Sequence, residues 1–213
     1  IPGRRIEVNG GLSALEVPQL AEADGTVVFE KILDAGLALF VEFGLRRTTM
    51  EDVSKRAGMG RATLYRRFSE KDQLFKAVIF RDLQRSLVHI EEAINDLGSA
   101  LDALLESFVL FSRMTHGNEL LQRLLKSEPD HVLPYLTTDF ELIMSFSRQY
   151  LAMQLERAQK AGHIRAGDPQ VMAEMVLRLT QSLMLSPSGV INPADEDSLR
   201  AFTEHYLRPL LAP

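Results

Sequence analysis

The chain contains no cysteine. That absence excludes disulfide scaffolds, thiolate metal sites, thiol nucleophiles and redox motifs together. Histidine is scarce: His89, His116, His131, His163 and His205 are the whole set. No two of them stand at metal-ligand spacing, and His-Glu-x-x-His is absent, so neither a metal nor a cofactor is expected. A phosphate-cradling glycine loop and a Gly-x-Ser-x-Gly elbow are also missing. Long apolar runs do not occur. Residues 1–25 lack the apolar stretch of a secretory signal. The charge-free span 179–194 is broken by Gln181, Pro187, Gly189, Asn192 and Pro193 and cannot cross a membrane. The expected location is therefore cytoplasmic, with no membrane partner. Alternating β-branched runs are lacking too, which argues against strands.

What is present is ordinary for a globular protein: 213 residues, 46% apolar and 25% charged. That length suits one large domain or two small ones. The first residue is Ile1 rather than Met, so the native start is expected to be missing. The balance of 24 basic against 29 acidic residues, net −5, argues at first against a nucleic-acid partner. Counting locally reverses this. Between Gly44 and Lys71 stand eight basic residues (Arg46, Arg47, Lys55, Arg56, Arg61, Arg66, Arg67, Lys71) and three acidic ones (Glu51, Asp52, Glu70). That window carries +5, which leaves −10 on the rest of the chain. A basic patch of this kind is an electrostatic footprint for phosphate, although a solvated helical face has the same composition.

Helical periodicity is strong after Gly25. Residues 1–25, with four glycines and Pro18, read as a loose arm. A first helix is expected over 26–43, with Phe29, Ile32, Leu33, Gly36, Phe40 and Phe43 as its buried stripe and Gly44 as its stop. A second begins at Thr48-Thr49, where Thr48 with Glu51 or Thr49 with Asp52 has capping-box spacing. It ends at Ala57-Gly58. A third short helix covers 61–68. Ser69 is expected to cap a fourth, 70–95, about 36 Å long. Further helices are expected over 101–115, 118–126, 138–161, 169–185 and 195–211. The breaks fall at Pro129 with Pro134, at 162–169 and at 187–193.

Two short helices joined by a glycine-containing turn make a helix-turn-helix, whose second helix can enter the major groove. That helix reads Arg61-Ala62-Thr63-Leu64-Tyr65-Arg66-Arg67-Phe68. Leu64 and Phe68 share one face and would anchor it to the core. The other positions offer cations, a hydroxyl and a phenol.

The run from Thr49 to Phe75, with Ala57-Gly58-Met59-Gly60, Thr63-Leu64-Tyr65 and Lys71-Asp72-Gln73-Leu74, resembles the DNA-binding motif of the tetracycline-repressor (TetR) family. The similarity is strong over 26–80; beyond it only length and helical layout match. Gly60 stands where the family usually has Ser, which removes a side-chain cap and phosphate donor. Ala62 stands where Gly is usual, which adds a methyl beside the DNA. The resemblance implies an all-α protein: a three-helix DNA-binding domain over 26–72 after an arm over 1–25, and a larger ligand-binding and dimerisation domain over 73–213. It implies phosphate or mixed contacts from Thr49, Thr63, Tyr65 and Lys71, base contacts from Arg61 and Arg66, and phosphate contacts from Arg67. Gly60 and Ala62 lie at the same surface, and Arg46 and Arg47 precede the second helix within reach of the DNA backbone. Arg4 and Arg5 are either a minor-groove arm or part of a disordered tail.

For the rest of the chain the resemblance implies a homodimer, with Met175, Leu179, Leu183, Phe202, Tyr206 and Leu210 at its interface. It also implies a pocket for a small apolar effector, for which Phe108, Phe111, His116, Phe140, Met144 and Arg148 are candidates. Plain core explains the aromatics and methionines equally well. The function expected is a dimeric repressor released from a palindromic DNA operator by an effector. A helix-turn-helix regulator without a ligand is the alternative. An all-helical enzyme is a third reading, carried only by Ser127, Glu128, Asp130 and His131, which nothing in the sequence orients as a triad.

Overall fold

The computed structural model describes residues 27–213, and every element among them is helical. The arm over 1–25, with Arg4 and Arg5, lies outside the described residues. Helix α1, Val27–Arg47, buries Phe29, Ile32, Leu33, Leu39 and Phe40 at three-and-four spacing. Gly44 does break it: at φ 84 and ψ 170 the backbone kinks, and one further turn follows to Arg47. Phe43 does not join the stripe; its side chain is exposed.

Helix α2, Met50–Arg56, starts on a reciprocal capping box. The Asp52 N–H donates to Thr49 Oγ at 3.2 Å, and the Thr49 N–H donates to Asp52 Oδ2 at 3.2 Å. Thr48 is excluded from that role: it is buried, with its hydroxyl donated to the Gly44 carbonyl at 2.7 Å. The end of α2 is a Schellman motif. The Met59 N–H reaches Ser54 O, the Gly58 N–H reaches Lys55 O, and Gly58 takes φ 66. Helix α3, Arg61–Arg67, starts from Gly60 with no side-chain cap.

Helix α4 is Lys71–Ile94. The expectation that Ser69 caps it is corrected. The Ser69 N–H and hydroxyl both donate to Gln73 Oε1, each at 3.0 Å, so the helix side chain reaches back to the loop. Helix α5, Ala100–His116, is capped by Ser99, and α6, Glu119–Ser127, by Asn118. The break expected at Pro129 and Pro134 is corrected as well. Pro129–Leu136 is a helix, α7. Pro129 sits in its first turn, where a missing N–H has no partner to lose and φ is preset. Pro134 forfeits one bond, and the helix ends two residues later. Helices α8, Glu141–Lys160, and α9, Pro169–Leu185, follow, the latter capped by Asp168. The last expected helix is α10, Glu196–Phe202, which continues through a π turn, Thr203–Leu207, into α11, Arg208–Leu211. Pro209 has no N–H and crowds the carbonyl four residues back. The wider turn accommodates it: the Arg208 N–H bonds to Thr203 O, five residues earlier.

The described residues form two compact units. One holds the chain up to Arg85 together with Asn118–Leu142. Its core includes Ile32, Phe40, Val53, Leu64, Leu74, Phe75, Phe80 and Leu124, all fully buried, with Phe40 and Phe75 edge to face at 5.3 Å. Arg81, buried on α4, donates to Glu30 at 3.0 Å and lies 2.8 Å from Asp34, tying α4 to α1. The other unit holds Ser86–Gly117 and Ile143–Pro213. There Leu105, Val109, Leu155, Ala173, Leu199, Leu207 and Leu211 pack as one core. Tyr150 donates to the buried Glu91 at 2.6 Å; burial, and then this bond, hold the phenol protonated well above its ordinary range.

Candidate nucleic-acid interface

The second helix of the pair is anchored as its spacing requires. Leu64 is fully buried and Phe68 nearly so, with the Phe68 ring stacked on Phe29 at 5.5 Å. Turning that face inward leaves Arg61, Ala62, Tyr65 and Arg66 exposed, with Thr63 and Arg67 half-buried. Tyr65 is 49% exposed, so its phenol stands clear of the core. Among the described residues Arg66 makes no ion pair. Its guanidinium is free to meet a base edge or a phosphate. Gly60 is exposed at the start of α3, where a Cβ would meet open space.

Arg61 is not free. It pairs with Glu51 of α2, and Lys55 binds the same carboxylate oxygen at 3.0 Å. The Lys55 bond first, and then Arg61, holds the Glu51 carboxyl below its ordinary range, so it stays ionised. One carboxylate thus ties the two helices together at the surface that would face DNA. Both cations are well exposed, so the pair is weak and exchangeable. Glu51→Gln should strengthen binding to an unrelated duplex several-fold, because it frees two cations and removes one repulsive charge. Fluorescence anisotropy at two salt concentrations reads this; no gain in affinity would show that Glu51 lies away from the phosphates.

Thr49 caps α2 and is exposed, and its hydroxyl donates to Asp52 Oδ2 at 2.5 Å. That bond holds the Asp52 carboxyl below its ordinary range. Arg47 lines an open groove together with Leu39, Phe43, Asp52, Lys55 and Arg56. Lys71 is a correction. Its ammonium donates to Leu45 O at 2.7 Å, Thr48 O at 2.9 Å and Arg46 O at 3.4 Å. Three donors on three carbonyls make it a tie across the corner between α1 and α2, in place of the expected phosphate contact. Sequence reading missed Glu51 and this role of Lys71. The spacing of Glu51 to Lys55 on α2 was visible; the fold alone brings Arg61 beside them.

The region 32–78 matches the family model described as bacterial regulatory proteins, tetR family. Over those residues the chain has the family's DNA-binding helix-turn-helix. The protein is a transcriptional regulator with a TetR-type DNA-binding helix-turn-helix, and such regulators are not enzymes. It is 27% identical over 184 residues to an uncharacterized HTH-type transcriptional regulator of Mycobacterium tuberculosis strain H37Rv, covering 85% of this chain and 93% of that one. Two solved structures share its fold. The SmeT–triclosan complex aligns with TM-score 0.56 at 23% identity, over 88% of this chain and 93% of that one. RolR in complex with resorcinol aligns with TM-score 0.63 at 11% identity, over 86% of this chain and 87% of that one.

The structure divides the six effector-pocket candidates of this regulator. Phe108 is 4% exposed within the core of the unit that holds α5 and α8 to α11, and Met144 is buried. Phe111 packs on Ile90, Ile94 and Ala103, and His116 is half-buried at the end of α5. Arg148 pairs with Glu174 at 2.9 Å. Phe140 is corrected: it precedes α8 instead of lying on it, and it belongs to the unit that holds the helix-turn-helix. Of the interface candidates, Met175, Tyr206 and Leu210 are exposed. Leu179, Leu183 and Phe202 are partly buried at the edge of the core. Tyr206 stacks on Phe202 at 5.9 Å. No group of three or more histidine and acidic side chains among the described residues is placed to hold a metal ion. No helix among them is long and apolar enough to cross a membrane.

Proposed function

We propose that the protein is a dimeric, cytoplasmic repressor whose reading head, residues 26–72, binds a palindromic operator and is released by a small apolar effector held in 73–213. The observation that carries the DNA reading is the outer face of α3. Arg61, Ala62, Tyr65 and Arg66 are exposed on one short helix, inside a window of net charge +5 on a chain of net charge −5. Thr63 and Arg67 flank that face, Thr49 and Arg47 extend it toward α2, and Gly60 leaves room for the backbone to approach a phosphate. Dimerisation is supported by a strip of exposed apolar side chains on the other unit. Val171 and Met175 lie one turn apart on α9, and Tyr206 and Leu210 lie four apart on the last helix. Such a strip, left to solvent, suits a self-complementary contact. An effector is supported by the triclosan and resorcinol held in the two solved complexes above.

Selection of bound duplexes from a random pool tests this reading. A dimer should return a two-fold symmetric sequence with half-site centres about 34–36 Å apart, one helical turn. Recovery of an asymmetric site, or of none, would reject the dimeric repressor.

A further inference from the structure

Ser127, Glu128, Asp130 and His131 form the densest cluster of catalytic residue types in the chain, and a regulator has no chemistry for them. The structure gives Glu128 a mechanical task. Glu128 is the joint of two helices: its N–H closes α6 on Leu124 O, and it is the N-cap residue of α7. Its carboxylate enters the kink of α1. Oε2 accepts the Arg46 N–H at 2.8 Å. Oε1 fills the place of the side chain that Gly44 lacks, 2.0 Å from where a Cβ would stand. The kink therefore requires glycine twice, once for its positive φ and once to admit this carboxylate. Lys71, bonded to the carbonyls of the same corner, feels the Glu128 charge.

The far end of α7 is tied as well. The Tyr135 hydroxyl donates to the Asp72 carboxylate in the first turn of α4. Its ring meets Phe75 edge to face at 4.9 Å, and the Lys76 ammonium stands 5.7 Å from the ring centre. At the start of α6, Asn118 Nδ2 donates to Asp82 Oδ2 at 2.7 Å. All these contacts lie within one compact unit. They attach α6 and α7 to α1 and α4, the two helices that bracket α2 and α3 in the chain.

We infer that α7 is a two-ended clamp on the reading head and that Glu128 is a positioning residue for DNA binding, its carboxylate in the Gly44–Arg46 kink fixing the angle at which α2 and α3 leave α1. The inference rests on the DNA-binding reading above. Without the carboxylate the corner loses its acceptor for the Arg46 N–H and the charge beside Lys71, and α2 is free to swing. A ligand that displaces α6 and α7 acts on α3 through the same contacts, by differential affinity for the two arrangements.

The test uses the full chain, a duplex selected by the wild-type protein, and an unrelated duplex. Glu128→Ala should weaken binding to the selected duplex about tenfold. It should leave the unrelated duplex and the salt dependence unchanged, since no phosphate contact is removed. Hydrogen exchange at the Arg46 amide should accelerate about tenfold in the same variant. Glu128→Gln keeps an oxygen for that amide and should restore most of both effects. Equal loss on both duplexes marks a merely structural residue and overturns the proposal, as does wild-type affinity for the selected duplex. Where Glu128→Ala does not fold, Tyr135→Phe decides: an unchanged preference between the duplexes overturns the clamp. If the wild type selects no duplex, the DNA reading fails; the Arg46 exchange rate still judges the clamp, and an unaltered rate rejects it.

Discussion

Arg61→Ala combined with Arg66→Ala is expected to lower affinity for a selected duplex by more than a hundredfold and to flatten discrimination between sequences. A bidentate arginine–guanine contact supplies about 1–3 kcal/mol of discrimination, so two supply about 2–6 kcal/mol. Both side chains project from the exposed face of α3, and neither is buried in the core. Stability should therefore change little. The salt dependence separates the roles. Loss of a phosphate contact lowers the slope of log affinity against log salt by about one per residue. Loss of a base contact lowers affinity at a nearly constant slope. Arg66, unpaired among the described residues, should give the larger single effect. Arg61 must first leave Glu51, and that exchange offsets part of its gain. Wild-type affinity and selectivity in the double variant would place the recognition face elsewhere.

Leu64→Ala should have the largest effect on stability of any change in α3. Leu64 is fully buried, as are Val53 of α2 and Leu74 of α4 in the same unit. Leucine-to-alanine changes at such sites cost about 3 kcal/mol, from lost transfer energy and from the cavity left behind. Alanine is the better helix former, so propensity cannot explain a loss. α3 has only seven residues, and Leu64 is the one residue within it that is fully buried. Its removal should release the helix and abolish DNA binding along with stability. Urea unfolding followed by circular dichroism measures the first, and anisotropy the second. A loss below about 1 kcal/mol would show that the site collapses without strain.

Local chemistry made much of this legible. The stripe of α1 from Phe29 to Phe40, the Thr49–Asp52 box, the glycine turn and the Leu64–Phe68 anchor are all short-range patterns, and the structure carries each of them. What escaped was set by tertiary contact or by rules that compete. The Pro129–Pro134 span holds two residues that usually break helices, yet proline in a first turn starts one. Lys71 has the residue type of a phosphate contact, and only the folded corner shows that its donors are taken. Glu51 with Arg61, Glu128 with Gly44 and Tyr135 with Asp72 join residues 10, 84 and 63 positions apart. No periodicity reports pairs at such separations. Caps at Ser99 and Asp168 were visible as residue types and differ from the expected helix starts by a residue or so.

The π turn at Thr203–Leu207 has a geometric consequence for the last helix. Leu199, Thr203, Leu207 and Leu211 are all buried, at a constant spacing of four. In a regular helix that spacing winds by about 40° at each step, so the fourth residue would have rotated well off the core. The wider turn absorbs the drift, and the buried row runs parallel to the axis. Its neighbour Phe202–Tyr206–Leu210 is straightened with it. A second copy would then meet a flat rail instead of a spiral. Winding the same residues as a regular helix, with no wide turn, would rotate everything after it by about 100° and move Leu211 out of the core.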